Sequence, residues 1–193
     1  ANRIKNNSII DSLNKNLDQT KILITQNEMD KDITKKCMEI ANKSGITIIL
    51  DPAPYNESLK NDYYSLADII TPNEIEAEYM TKIKIKNIDD VKLAGKKLLE
   101  KGIKSCVITL GENGAYFINE EKAKHLPPFK IDKVKASVAA GDAFTGILGA
   151  SISSGLDIFD SLEIAIIGSA LSTTKNGAQE SMPYYSEIIK ELD

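Results

Sequence analysis

The chain of 193 residues has no tryptophan, one histidine and two cysteines. Cys37 and Cys106 are far apart and lack the spacing of a metal-binding motif, so we interpret them as buried thiols of a reducing cytoplasm. His125 precedes two prolines on a short predicted strand, where a surface or capping role is favoured over catalysis. These scarcities argue against a disulfide-stabilised scaffold and against a zinc-type centre.

Long apolar runs and an excess of positive charge are also missing. No stretch approaches the length of a membrane span, and the first residues lack the apolar core of a secretion signal. Lysine and arginine total 24 against 28 acidic residues, giving a net charge of −4. This balance argues against a nucleic-acid surface. With 42% hydrophobic residues, the chain is long enough for one sizeable core.

Short apolar strands alternate with helices along the first part of the chain, which is typical of a parallel sheet covered on both faces. The predicted strands lie at residues 21–25, 46–50, 68–70 and 105–110, and the predicted helices at 4–17, 30–43, from 73, and 89–101. A β-hairpin is predicted at 115–126, followed by a further strand at 129–134 and helices near 142–154, 158–174 and 184–191.

These elements predict an α/β fold that forms a single domain over residues 1–193, with no internal boundary. We expect a three-layer sandwich with a mostly parallel central sheet, an antiparallel hairpin at its edge and a C-terminal helical cluster. Glu28, Asp51, Asn73 and residues 109–114 all directly follow predicted strands. Because ligands gather at the carboxyl ends of parallel strands, we predict one shared cleft.

The segment from Val138 to Gly146 is the most informative in the sequence. Small residues and a glycine lead into Asp142 at the start of a predicted helix. A phosphate could approach this backbone closely, and the helix dipole would favour its charge. Asp142 could then take the proton of an attacking hydroxyl, or it could simply cap the helix, and spacing alone leaves both interpretations open.

This segment resembles the C-terminal signature of the ribokinase family of sugar kinases, in which a G/A-A-G-D motif carries the anion hole and the catalytic base. Further segments match that family in the same order: Gln26-Asn27-Glu28, Asp51-Pro52-Ala53-Pro54, Thr71 to Glu78, Thr109 to Gly114, and Asn176-Gly177-Ala178-Gln179. The likeness covers essentially the whole chain. Its D-P-A-P and G-A-Q elements favour the ribokinase type over fructokinase, nucleoside kinase or vitamin kinase types.

The resemblance implies ATP-dependent phosphorylation of the primary hydroxyl of D-ribose, with Asp142 as general base. Ala139, Ala140 and Gly141 would supply the backbone N–H donors of the anion hole. The alternative for these three residues is a close-packed helix start.

The resemblance also implies a nucleotide site. The residues at its positions are Asn73, Thr109, Gly111, Glu112, Gly114, Gly141 and Ile166. Ile166 departs from the pattern, because relatives often place a polar residue there near the adenine, and it would offer the base an apolar contact. The loop glycines would equally satisfy a tight turn, and Asn73 would equally serve as a helix N-cap. Glu76 matches a position that binds Mg²⁺ through water, and Glu28 matches a sugar ligand.

One departure concerns a monovalent cation. The family usually has Asp-Thr where this chain has Ala136-Ser137. The resemblance places further oxygen ligands at Ser172, Lys175, Gly177 and Ser181. Because Ala136 offers no carboxylate, we regard activation by K⁺ as doubtful.

A further departure is length, because the N-terminal third of the family pattern has no counterpart here. That region carries the main sugar-binding loop and a β-sheet lid. We therefore expect an incomplete portion that binds ATP weakly and has low activity, or a nucleotide-binding fragment without transfer. An intact parent could form a homodimer through the lid.

Overall fold

A computed structural model describes residues 8–192, and its centre is a six-stranded, mostly parallel sheet. The strands follow one another across the sheet in chain order. They are β1 (Ile22–Gln26), β2 (Thr47–Asp51), β3 (Ile69–Ile70), β4 (Ser105–Thr109), β5 (Ala115–Asn119) and β6 (Ala123–Leu126). The first four strands pair in parallel, with Ile24 opposite Ile49 and Ile70 opposite Cys106. The predicted α/β fold with a mostly parallel sheet is confirmed.

Helices connect these strands and complete the chain. They are α1 (Ser8–Asn16), α2 (Lys31–Lys43), α3 (Asn61–Tyr64), α4 (Glu74–Thr81), α5 (Ile88–Leu99), α6 (Ala140–Ser153), α7 (Ile158–Ser172) and α8 (Tyr185–Ile189). Side-chain caps fix several of their starts: Asp30 accepts hydrogen bonds from the first turn of α2, and Asn87 and Asp157 do the same for α5 and α7. Each cap satisfies amide groups that the helix cannot satisfy internally. No helix within residues 8–192 is long and apolar enough to cross a membrane.

The described residues form two compact units. The first comprises residues 8–108 and 116–124, and its core is built on the sheet, where Ile48, Ile49 and Leu50 are fully buried. The second comprises residues 109–115 and 125–192. The single domain expected from the sequence stays a prediction.

A helical cluster forms the core of the second unit. Ile164 and Ile167 of α7 pack with Ile188 of α8. The partly buried Ile147 of α6, Leu171 of α7 and Phe129 pack against them. This confirms a C-terminal group of helices. The burial of these side chains stabilises this unit.

The strand predicted at residues 129–134 is wrong, because this segment has no regular structure. Its alternating apolar residues are explained otherwise: Phe129 packs against the helical cluster, whereas Val134 is 58% exposed. The helix predicted from residue 4 is described from Ser8 onward, and its first four positions lie outside the described residues.

Candidate active site

In the first unit, polar side chains lie at the carboxyl ends of β1 and β2. Both carboxylate oxygens of Asp51 accept hydrogen bonds, one from Gln26 Nε2 at 3.2 Å and the other from the Ala53 N–H at 3.1 Å. Asn27 Nδ2 donates to the Pro52 carbonyl at 2.7 Å. Asp51 is thereby held at the strand end although it is 94% buried (6% exposed). Glu28, the predicted sugar ligand, follows β1 in a turn and is exposed.

The start of α4 contains two of the predicted site residues in a reciprocal cap. Asn73 Oδ1 accepts from the Glu76 N–H at 2.9 Å, and Glu76 Oε2 accepts from the Asn73 N–H at 2.9 Å. The predicted N-cap role of Asn73 is therefore confirmed, and Glu76 completes a capping box.

Glu76 has one carboxylate oxygen to spare. The residue is only 8% exposed, and its Oε1 accepts no hydrogen bond from the described residues. Burial raises the pKa of this carboxyl, the hydrogen bond from Asn73 opposes the shift, and the charge of Asp51 adds to it. An available carboxylate oxygen on a mostly buried side chain fits a water molecule of a hydrated Mg²⁺. No cluster of three or more acidic, histidine or cysteine ligands occurs in the described part of the chain, so direct coordination by a carboxylate cage has no support there.

In the second unit, the predicted nucleotide loop follows Thr109 at the end of β4. Residues Gly111–Asn113 form one turn of 3₁₀-helix, closed by a hydrogen bond from the Leu110 N–H to the Gly114 carbonyl at 2.8 Å. Gly111 has a φ of 53° and no atom within 4 Å of where a Cβ would lie. Glu112 is exposed. The open side of this turn leaves room for a ligand against the Gly111 backbone.

Gly114 is in the opposite situation. Its φ of 86° is one that other residues rarely adopt, and a Cβ would meet the backbone of Leu126, Pro127 and Pro128. Gly114 therefore closes the loop for steric reasons.

His125 Nε2 lies 2.8 Å from the Asn113 carbonyl, which agrees with a surface role for this histidine.

The start of α6 is the predicted anion hole. Its N-cap, Ala139, has a left-handed φ of 63° and provides no side-chain hydrogen bond. The Ala140 N–H donates to the Ser137 carbonyl at 3.3 Å, whereas the N–H groups of Ala139 and Gly141 have no partner among the described residues. No atom lies within 4 Å of where a Cβ of Gly141 would be. Two of the three predicted donors are therefore available in open space.

Asp142 stands beside these donors, in the first turn of α6, and is exposed. The helix is held against α7 by Ser169, whose Oγ donates to the Ala140 carbonyl at 2.9 Å. Ile166 lies half-buried on α7. An exposed carboxylate beside available amides can accept a proton while the amides bind an anion.

The predicted cation positions also lie in the second unit, and their side chains supply no charged oxygen. Ser172 Oγ and Ser181 Oγ donate to the carbonyls of Ser169 and Ala178, both at 2.7 Å. Lys175 Nζ forms an ion pair with Glu187 at 2.8 Å. The Ala136 N–H donates to the Thr173 carbonyl at 3.2 Å, and its side chain is a methyl group. None of these predicted positions offers a carboxylate to a monovalent cation, and a weak response to K⁺ stays a prediction.

Sequence reasoning missed the two tyrosines that end α3. Tyr63 and Tyr64 are 3% and 5% exposed, and the Tyr63 hydroxyl donates to Asn27 Oδ1 at 3.2 Å. Two consecutive tyrosines before a short strand gave no periodic signal. The hydrogen bond from Tyr63 to Asn27 is what links α3 to the end of β1.

Comparison with known proteins identifies the family. The profile of the pfkB family of carbohydrate kinases matches residues 4–184. A ribokinase of Staphylococcus aureus is 35% identical over 86% of this chain, and a deoxyribokinase of Salmonella typhi is 30% identical over 100% of this chain. The chain therefore belongs to the pfkB carbohydrate kinase family.

Solved structures agree with this assignment. A ribokinase of Thermotoga maritima matches with a TM-score of 0.83 and 31% identity over 92% of this chain. A ribokinase of Arabidopsis thaliana, solved with ribose and ATP, shares the fold with a TM-score of 0.89 over 94% of this chain, at 24% identity. The chain spans 54% and 62% of the two bacterial relatives and 58% of each of these structures.

Proposed function

We propose that this chain serves the ATP-dependent phosphorylation of a pentose at its primary hydroxyl, with D-ribose as the leading substrate. Support for the sugar class comes from the similarity to ribokinases and to a deoxyribokinase. The observation that carries the proposal is the start of α6, where the exposed Asp142 stands beside the available N–H of Gly141.

In the proposed reaction, the sugar hydroxyl oxygen forms a bond to the γ-phosphorus of ATP while the bond from that phosphorus to the bridging oxygen breaks and ADP leaves. Asp142 accepts the hydroxyl proton. The N–H groups of Ala139 and Gly141 stabilise the negative charge of the transferring group. The loop at Gly111 would hold the nucleotide, and Glu28 would bind the sugar.

Mg²⁺ would neutralise charge on the phosphates when bound. Glu76 would hold water molecules of that ion through Oε1 while its Oε2 caps α4. Asn73 would keep that carboxylate in place and could contact the nucleotide. We place the reaction in the cytoplasm, in accordance with the two buried free cysteines.

The test is an assay of ADP formation with ribose, 2-deoxyribose and fructose, on the chain and on its Asp142→Asn variant. We expect ribose or deoxyribose to be preferred. We expect the variant to lose at least a hundredfold in kcat with little change in ATP affinity. Asp160→Asn is the matched control, because Asp160 occupies the same first-turn position on α7. Near-normal turnover of Asp142→Asn would remove Asp142 as the base.

A second candidate is nucleotide binding without transfer. It is favoured by the methyl group at Ala136, where the family pattern has a carboxylate. Calorimetric binding of ATP without ADP formation in the presence of each sugar would support it.

A further inference from the structure

The loop of residues 52–54, which follows β2, cannot satisfy its own backbone groups. Two of its three residues, Pro52 and Pro54, have no backbone N–H. The one amide of the loop, the N–H of Ala53, donates to Asp51 Oδ1 at 3.1 Å. Because unpaired backbone groups are costly where water is partly excluded, the three carbonyls of this loop need donors from another segment.

A single residue, Asn27, supplies a donor to each of the three carbonyls. Its backbone N–H donates to the Ala53 carbonyl at 3.0 Å. Its Nδ2 donates to the Pro52 carbonyl at 2.7 Å and to the Pro54 carbonyl at 3.3 Å. On the other side of the amide, Oδ1 accepts from the Tyr63 hydroxyl at 3.2 Å. Asn27 thereby ties the end of β1 to the 52–54 loop and to α3, and both amide hydrogens of its side chain are used.

Glu28 lies between this tie and a second fixed point. It follows Asn27 directly, in the turn that joins β1 to α2. Asp30 caps α2 by accepting from two N–H groups of its first turn, at 3.0 Å and 3.3 Å. Only Glu28 and Met29 separate the two anchored positions, so the backbone of Glu28 is restrained on both sides although its side chain is exposed. A carboxylate on a restrained backbone loses little freedom when it binds a ligand.

We propose that Asn27 is a positioning residue for sugar binding. By holding the 52–54 loop, its amide fixes the turn at Glu28 and so places the Glu28 carboxylate to accept a hydrogen bond from a sugar hydroxyl. Asn27 itself does not touch the sugar, and nucleotide binding does not depend on it. The sugar-related half of this inference rests on the proposed function, in which Glu28 binds the sugar, whereas the restraint of the turn does not.

The first test measures the restraint of the turn by nitrogen-15 NMR relaxation of the ligand-free chain. A rigid backbone amide has an order parameter of about 0.85, and a flexible one has a value below about 0.6. We expect the rigid value for the N–H groups of Glu28 and Met29 in the unaltered chain and the flexible value in Asn27→Ala. If Asn27→Ala does not fold, Asn27→Ser, which keeps a hydroxyl donor, is measured against the same expectation. A flexible turn in the unaltered chain, or a rigid turn in the variant, overturns the proposal.

Asn87→Ala is the matched control in both tests. It also removes two hydrogen bonds of an asparagine side chain in the first unit, but both lie within the first turn of α5, so the 52–54 loop keeps its donors. We expect the turn at Glu28 to stay rigid in this variant. Equal loosening by Asn87→Ala and Asn27→Ala would reflect general destabilisation and would overturn the proposal.

The second test is calorimetric titration with D-ribose and, separately, with ATP. Ordering a loosened side chain on binding weakens affinity about two- to tenfold, so we expect the dissociation constant for ribose to rise by about that factor in Asn27→Ala. Glu28→Ala should raise it about tenfold or more, because a hydrogen bond to a charged group is lost. The dissociation constant for ATP should stay the same in both variants, and Asn87→Ala should change neither constant.

A purely structural role of Asn27 would lower Tm without separating the two ligands. Unchanged ribose affinity of Asn27→Ala, or an equal loss for ATP, therefore overturns the positioning role. Failure of Glu28→Ala to weaken ribose binding, or no ribose binding by the unaltered chain, overturns the sugar-related half together with the proposed role of Glu28. The order parameters then judge the restraint of the turn separately.

Discussion

Replacing Gly114 by alanine tests whether the nucleotide loop is closed by steric necessity. Gly114 has φ 86° and ψ −130°, and an added Cβ would lie 2.7 Å and 2.8 Å from backbone atoms of Pro127 and Pro128. Such a backbone conformation costs about 1–3 kcal/mol for a residue other than glycine. The contacted atoms are backbone and cannot rotate away, so we expect a total loss of at least ~3 kcal/mol. For a chain of this length that lowers Tm by about 6–12 °C.

Gly111→Ala is the matched control, because it adds the same methyl group three positions earlier in the same loop. Gly111 has φ 53°, and nothing lies within 4 Å of its Cβ position. The left-handed conformation costs about 1 kcal/mol, which the stiffer unfolded chain partly offsets. We expect a change of stability below about 1 kcal/mol, measured as the urea midpoint at constant slope. Equal destabilisation by the two variants, or a larger effect at Gly111, would refute the steric argument.

Three further outcomes are expected. Because burial raises the pKa of Glu76, the folded state binds the proton of this carboxyl more tightly than the unfolded state does. The contribution of Glu76 to stability therefore falls as the pH rises from the ordinary pKa of a glutamate through the raised pKa. Glu76→Gln should remove that decline from urea midpoints measured across this pH range. Because Ala139 has a left-handed φ of 63°, Ala139→Gly should be neutral or stabilising by up to about 1 kcal/mol. Ala139→Val should destabilise the fold by about 2 kcal/mol in the same assay. The reverse order would contradict the left-handed geometry. The initial rate of sugar phosphorylation should respond weakly to KCl at constant ionic strength, and Ala136→Asp should create a saturable dependence; strong activation of the unaltered chain would show that neutral oxygens suffice.

The parts of the fold that were predicted correctly depend on residues that are close together in the sequence. Asn73 follows an X-Pro pair and precedes Glu76 by three positions, which is a complete N-terminal signature within four residues. Runs such as Ile46 to Leu50 predict a buried strand because a covered parallel strand is apolar on both faces. These interactions join residues that are near one another in the chain, so they can be predicted without knowing how the elements pack together.

Features that depend on packing could not be predicted. The segment at residues 129–134 was predicted as a strand, but Phe129 packs, partly buried, against helices instead. Helix α3 has four residues, too few for a periodic pattern. The left-handed conformation of Ala139 was also hidden, because two successive alanines favour a regular helix start. In each case the surroundings, not the local preference, decide the conformation.

The starts of α4 and α6 show why a structural and a functional interpretation of the same residues need not compete. At α4, Glu76 has two carboxylate oxygens, of which one caps the helix and the other remains available. A capping box therefore does not argue against a metal-related role. At α6, the N-cap is an alanine that provides no cap, although α2, α5 and α7 all begin with a capping aspartate or asparagine. A capping side chain there would occupy the amides that an anion needs, so the missing cap and the strained Ala139 are consistent with selection for binding over stability.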